Sequence, residues 1–233
     1  TAEMVALECL RCANCESGRG CPRGIATTDP VLSTQYSIDW AAQRLKDPRF
    51  AALLQPQEDE LVSVDCETTS LNVREAELLS IGAVKIRGQR IVSSESFYVL
   101  VKPERMPDAG SVRIHGLRPR DVSAGLAPQD AVAQLLDFIG GRPLLGYYLE
   151  YDVAVLNKYV QPLTGIKLPN RQIEVSGRYY DYKLRQQPDS HIDLKLATLI
   201  DDLKVPALPR HDALNDAITA GMLYLALKKR GFG

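Results

Sequence analysis

The chain has 233 residues, 28 Lys and Arg against 29 Asp and Glu, and a formal net charge of −1. That length suits one sizeable domain with an appendage. The charge balance does not fit a long phosphate-neutralising grip on duplex nucleic acid; a nucleic-acid ligand would be held over a short contact, with metal ions supplying much of the positive charge.

No apolar run approaches the roughly 18–20 residues of a membrane span, and no basic leader with an apolar core opens the chain. The expectation is a cytoplasmic protein with no membrane partner. Residues 1 to about 35 are rich in Cys, Gly and Arg and show no periodicity. Cys9, Cys12, Cys15 and Cys21 crowd this stretch, and Cys66 stands apart from them. The larger part of the chain has no paired cysteine framework, which fits an intracellular setting. Thiolates at two-residue gaps with a fourth further on suit an iron–sulfur cluster or Zn2+; reduced cysteines without a metal are the other reading.

From 37 to 54 the pattern is helical, with Ile38, Ala41, Ala42 and Leu45 on one face. Asp47 and Pro48 read as a break and a fresh N-cap, starting a short helix through Leu54. The polar link from Gln55 to Glu60 divides an N-terminal arm, 1–55, from a larger domain, 60–230. Leu61 to Cys66 is a short apolar run ending in an acidic pair. Leu78 to Ile86 is apolar and closed by Gly88, and Ile91 to Val101 alternates; together they predict three consecutive antiparallel strands. Pro103 to Ser123 reads as loop. Pro128 to Ile139 is an amphipathic helix with Ala131, Leu135 and Phe138 inward. Pro143 to Tyr147 reads as a short buried strand. Helices follow at Asp152 to Leu163, Ile192 to Leu203 and Leu214 to Lys229; Lys228, Lys229 and Arg230 end the last, as the helix dipole favours. Strands first, then strands mixed with helices, predict an α/β layered domain with a mixed sheet.

Three short motifs carry the chemistry. Asp65 and Glu67 stand two apart in V-D-C-E-T-T at a strand end, so both point to one face, and Cys66 points the other way, into the core. Asp152 closes G-Y-Y-L-E-Y-D after the short strand. His211 and Asp216 lie in R-H-D-A-L-N-D, just over one helical turn apart. Each motif alone is commonplace as a solvated strand end, an N-cap or a polar helix face. Their order and their matched placement on strand and helix ends point to one pocket. Packed carboxylates repel unless hard divalent cations join them. Two such ions stabilise the attacking and leaving oxygens of an in-line displacement at phosphorus, and an imidazole beside them takes a proton near neutrality. Phosphodiester hydrolysis is the chemistry that follows.

Residues 60–230 resemble the DEDDh (DnaQ-like) 3'-5' exonucleases, through V-D-C-E-T-T-S-L followed by L-L-S-I-G-A-V-K-I, through V-R-I-H-G-L, and through R-H-D-A-L-N-D-A. The resemblance implies an RNase H-like three-layer fold with a mixed five-stranded sheet, two Mg2+ or Mn2+ ions, and removal of nucleoside monophosphates from single-stranded or frayed DNA or RNA 3' ends. It makes Asp65, Glu67, Asp152 and Asp216 metal ligands and His211 the general base. Thr68, Leu71 and His115 become candidates for the terminal nucleotide. Three departures stand out. Ser70 replaces a glycine; Tyr147 and Tyr148 replace a His-Asn pair, with Tyr147 read as core; Glu174 replaces an Asp-Thr helix start. The opening C-P-R-G-I-A-T-T-D-P resembles the cysteine segment of glutamate synthase FMN domains over about residues 5–45, without the flavin-binding barrel. A cluster-binding redox fragment and a non-catalytic nucleic-acid-binding module are the alternative functions. No polymerase or other protein partner is implied.

Overall fold

The computed structural model describes residues 38–39, 41–188 and 191–232. Cys9, Cys12, Cys15 and Cys21, and with them the expected thiolate site, lie outside the described residues. The chain forms two compact units, 1–44 and 45–233. The first is helical at 38–39 and 41–42. The second opens with a 3-10 helix, Pro48–Leu54, capped by Asp47, whose carboxylate accepts from the Arg49 N–H. Phe50 and Leu53 are buried in the same core cluster as Val62 and Leu136, so by packing this helix belongs with the larger unit.

Five strands form one sheet in the order β3-β2-β1-β4-β5. They are β1 (Glu60–Thr68), β2 (Leu78–Arg87), β3 (Arg90–Leu100), β4 (Leu144–Gly146) and β5 (Gln172–Glu174). The first three run antiparallel, whereas β4 and β5 join parallel to β1. Residue pattern shows four of these strands; the fifth is only three residues long, with one buried side chain, Ile173. Seven helices are described: α1 (Ala109–His115), α2 (Pro119–Val122), α3 (Pro128–Ile139), α4 (Leu149–Thr164), α5 (Val175–Gln186), α6 (Leu196–Leu203) and α7 (Ala213–Lys228). The stretch expected to be loop, 103–123, thus holds two short helices. The first is set by Asp108, which accepts from the Ser111 N–H at 2.8 Å, and ends at left-handed Gly116. The expected helix from Ile192 starts only at Leu196, because Asp193 folds back on the Lys195 N–H and the Thr198 hydroxyl.

Each face of the sheet has its own core. Val62, Val64 and Cys66 of β1 pack with Ile81, Leu136 and Leu156 under α3 and α4. Leu61, Ile86 and Leu145 pack with Leu199 and Leu223 under α6 and α7. This is the three-layer arrangement expected of an RNase H-like domain. Among the described residues no helix is long and apolar enough to cross a membrane.

Candidate active site

The parallel pairing of β1 with β4 brings their carboxyl ends to one rim of the sheet, where α/β sites form. β1 delivers Asp65 and Glu67 there. The β4 chain turns at Tyr148, in the left-handed region at φ 60°, and enters α4, which buries Asp152 in its first turn. The third contribution comes from the start of α7. That helix approaches the sheet closely because its inner positions, Ala213, Ala217, Ala220 and Gly221, are small. It also meets a glycine. Gly82 sits opposite Asp65 on β2, and a Cβ there would stand 2.2 Å from the Ala213 carbonyl carbon. The Ser63 hydroxyl donates to the Ala217 carbonyl at 2.6 Å and ties the two layers together.

His211 is not on α7. It precedes the N-cap, Asp212, with φ 61°, and its backbone N–H donates to Asp216 Oδ2 at 2.8 Å. The helical spacing of His211 and Asp216 is therefore replaced by a loop that turns back on the helix start. Ligand atoms of Glu67, His211 and Asp216 all lie within 4.8 Å of one another.

Asp65 and Asp152 are not among the side chains gathered within that distance, but the electrostatics tie them to the same pocket. Burial, then the charges of Asp152, Asp216 and Glu67, push the Asp65 carboxyl well up. Burial raises Asp152 too, against the opposing pull of the Cys66 backbone N–H. Glu67 is pushed up to about 7, by burial first and then by Asp216 and Asp212. Burial also raises Asp216, with the His211 N–H working the other way. Such a set of oxygens, repelling one another and poorly hydrated, fits hard divalent cations: each ion would remove the penalty that holds these groups toward their neutral forms.

Around this pocket the substrate candidates are spread. The Thr68 hydroxyl lies 2.6 Å from that of Tyr151 and donates to it, and the Tyr151 hydroxyl donates to the Ser70 carbonyl. Ser70 has no positive φ, so the glycine expected there is not required, and its hydroxyl accepts from the Asn72 N–H. Leu71 stands 83% exposed at the lip. His115 is buried; its Nδ1 accepts from the Leu117 N–H at 3.0 Å, and its Nε2 meets no partner among the described residues. Burial and then nearby His211 lower its pKa, which places His115 on the pocket side. Tyr147 packs in the α6–α7 core, as read from the sequence, and its hydroxyl donates to the Leu194 carbonyl.

Two residues were not legible as site builders. Gly82 carried one signal, a lone glycine inside an apolar strand. Glu174 stood out only as a departure from pattern. Its carboxylate accepts from the N–H groups of Tyr148 (3.0 Å), Leu149 (2.8 Å) and Ser176 (3.1 Å), so one side chain caps both α4 and α5.

A family model described as exonuclease matches residues 62–224. The chain belongs to the exonuclease family. A model of a conserved region in glutamate synthase matches residues 1–55, in keeping with the cysteine-segment resemblance. The chain is 26% identical over 177 residues to a PolC-type DNA polymerase III of Caldanaerobacter subterraneus, covering 74% of this chain and 12% of that protein. It is 26% identical over 109 residues to DNA polymerase III subunit epsilon of Aquifex aeolicus, covering 47% of this chain and 53% of the relative. This chain thus spans a small part of the first relative and about half of the second. In fold it is similar to the cell-death related nuclease CRN-4 (TM-score 0.65, 16% identity, 75% of this chain and 65% of that one). It is similar also to E. coli ExoI in its complex with ssDNA (TM-score 0.63, 18% identity, 75% and 41%).

Proposed function

We propose that the domain hydrolyses the terminal phosphodiester at the 3' end of single-stranded or frayed nucleic acid and releases nucleoside monophosphates. The observation that carries this reading is the gathering of Glu67, His211 and Asp216 within 4.8 Å, with Asp65 and Asp152 in the same electrostatic cluster. Asp65, Glu67, Asp152 and Asp216 would hold two divalent cations, Mg2+ or Mn2+. Bound cations of this kind supply the positive charge that stabilises the attacking and leaving oxygens. His211 accepts the proton of the attacking water. Its backbone N–H on Asp216 fixes the loop and so aims the imidazole. Thr68 and Leu71, on the lip with Tyr151, hold the terminal nucleoside, and the Nε2 of His115 serves as a donor on the same side. DNA is the favoured polymer because the relatives include DNA polymerase III subunits and one similar structure is an ssDNA complex.

The test is product analysis on matched labelled DNA and RNA strands with Mg2+, Mn2+ or EDTA. Stepwise loss of mononucleotides from the 3' end, abolished by EDTA, is expected. Binding without cleavage under either metal would leave a non-catalytic module instead.

A further inference from the structure

Beside the carboxylate pocket, Tyr148 is forced into solvent. It is 61% exposed, although its backbone sits in the left-handed region that a bulky residue rarely adopts. The Glu174 carboxylate holds it there through the N–H groups of Tyr148 and Leu149. The ring lies parallel to that of Tyr151, centroids 6.0 Å apart and planes 8° from each other. Tyr151 in turn is fixed to the pocket lip through Thr68 and the Ser70 carbonyl. Glu174 also lines an open groove of about 410 Å3, together with Arg178, Tyr180, Asp181 and Leu194. Tyr180 is 43% exposed and Leu194 37%, and Arg178 forms no ion pair among the described residues.

We propose that Tyr148 and this groove form a binding track for an unpaired strand, with Tyr148 stacking on a base upstream of the terminal nucleotide. The inference rests on reading the carboxylate pocket as a nuclease site, because Glu174, which lines the groove, also holds Tyr148 at the start of the helix that carries Asp152. Two observations choose the occupant. An aromatic face offered to solvent matches any nucleobase but only an unpaired one, because duplex bases already stack on each other. A guanidinium without a carboxylate partner matches a backbone phosphate. The track therefore selects single strands and is indifferent to sequence.

Fluorescence anisotropy of labelled hexathymidylate and hexauridylate, with Ca2+ in place of Mg2+, tests it. Tyr148→Asn removes the ring while keeping a residue that accepts the left-handed backbone. It should weaken binding about 5- to 150-fold, the equivalent of about 1–3 kcal/mol for one stacked base. Tyr148→Phe should restore affinity to within about 2-fold, because the ring returns. Arg178→Gln should flatten the slope of log affinity against log salt by about 0.7, one phosphate contact on a single strand. The proposal is overturned if Tyr148→Asn binds the hexamers as tightly as the unaltered protein, if that protein binds neither hexamer, or if it binds blunt duplex equally well. Cleavage is scored separately with Mg2+ and Mn2+. Hexamers bound through Tyr148 yet left intact refute the nuclease reading and leave the track standing; cleavage with no Tyr148 dependence of binding refutes the track alone.

Discussion

At the end of β1, Asp65 and Glu67 are held by a strand whose alternate residues, Val62, Val64 and Cys66, are locked in the core. At the start of α7, Asp216 and His211 depend on a seat and a turn: the bare Gly82 beneath the helix, and a left-handed His211 bonded back to Asp216. Both regions bring acidic or imidazole side chains to one pocket, but by different physics. The strand end is positioned by burial that exists without the site. The helix start is positioned by contacts that exist only because the site does. Substitutions on β1 should therefore change the chemistry with little movement, whereas those around α7 should change position and chemistry together.

The largest effect expected is from Asp65→Asn. Metal-dependent cleavage should fall at least about 10³-fold, since metal-borne charge stabilisation is worth several kcal/mol. The metal-free protein should meanwhile melt at a higher temperature, because the substitution removes a charge that burial and four carboxylates oppose. Activity assays paired with melting in EDTA check both directions, and a lower melting temperature would show that β1 does depend on the site. Next is His211→Asn, which keeps a residue tolerant of φ 61°. Losing the base should lower kcat by about 10²-fold or more, with KM and melting temperature little changed.

Legibility in the sequence followed the same division. The β1 acids were readable because strand alternation fixes the face of each residue from its neighbours. Asp152 was readable by its place after a buried strand. The α7 side was read only in part. Spacing put His211 about a turn from Asp216, but no periodicity reports a left-handed residue ahead of an N-cap, so its place off the helix was invisible. Helices α1 and α2 and strand β5 were missed for a related reason: each is too short for a period to declare itself, and each is set by caps or by pairing. Glu174 could not be read at all as a double cap, since its partners at 148 and 149 are about 25 residues away and meet it only through the β4–β5 pairing.

Gly82→Ala breaks the comparison from the α7 side. The added carbon would stand 2.2 Å from helix backbone, which no side-chain rotation relieves. Overpacking of this kind costs about 1–3 kcal/mol, and α7 would have to shift away from Asp65. Chemical denaturation should show the stability loss, and cleavage should fall with it even at temperatures where the variant is fully folded. The equivalent substitution on the core face, Ala83→Gly, should reduce stability while sparing the rate per folded molecule.

The smallest effect is also the one that reads both regions at once. Glu67 is buried and pushed up to about 7, against an ordinary value of 4.5. A carboxyl raised in the folded state binds its proton more tightly there than in the unfolded chain. Its contribution is therefore fully present below pH 4.5 and is lost as pH rises through about 7. Asp65, Asp152 and Asp216 are raised as well and act in the same direction. In EDTA the melting temperature should fall between pH 5 and 8; a loss of about 2 kcal/mol would lower it by about 4–8 °C in a domain of this size. Mn2+ or Mg2+ should reverse the slope, because the ions bind the ionised carboxylates and bind them better as pH rises. Asp216→Asn should flatten the metal-free slope by relieving Glu67 of the largest charge effect acting on it, so an unchanged slope in that variant would separate the two ends of the pocket electrostatically.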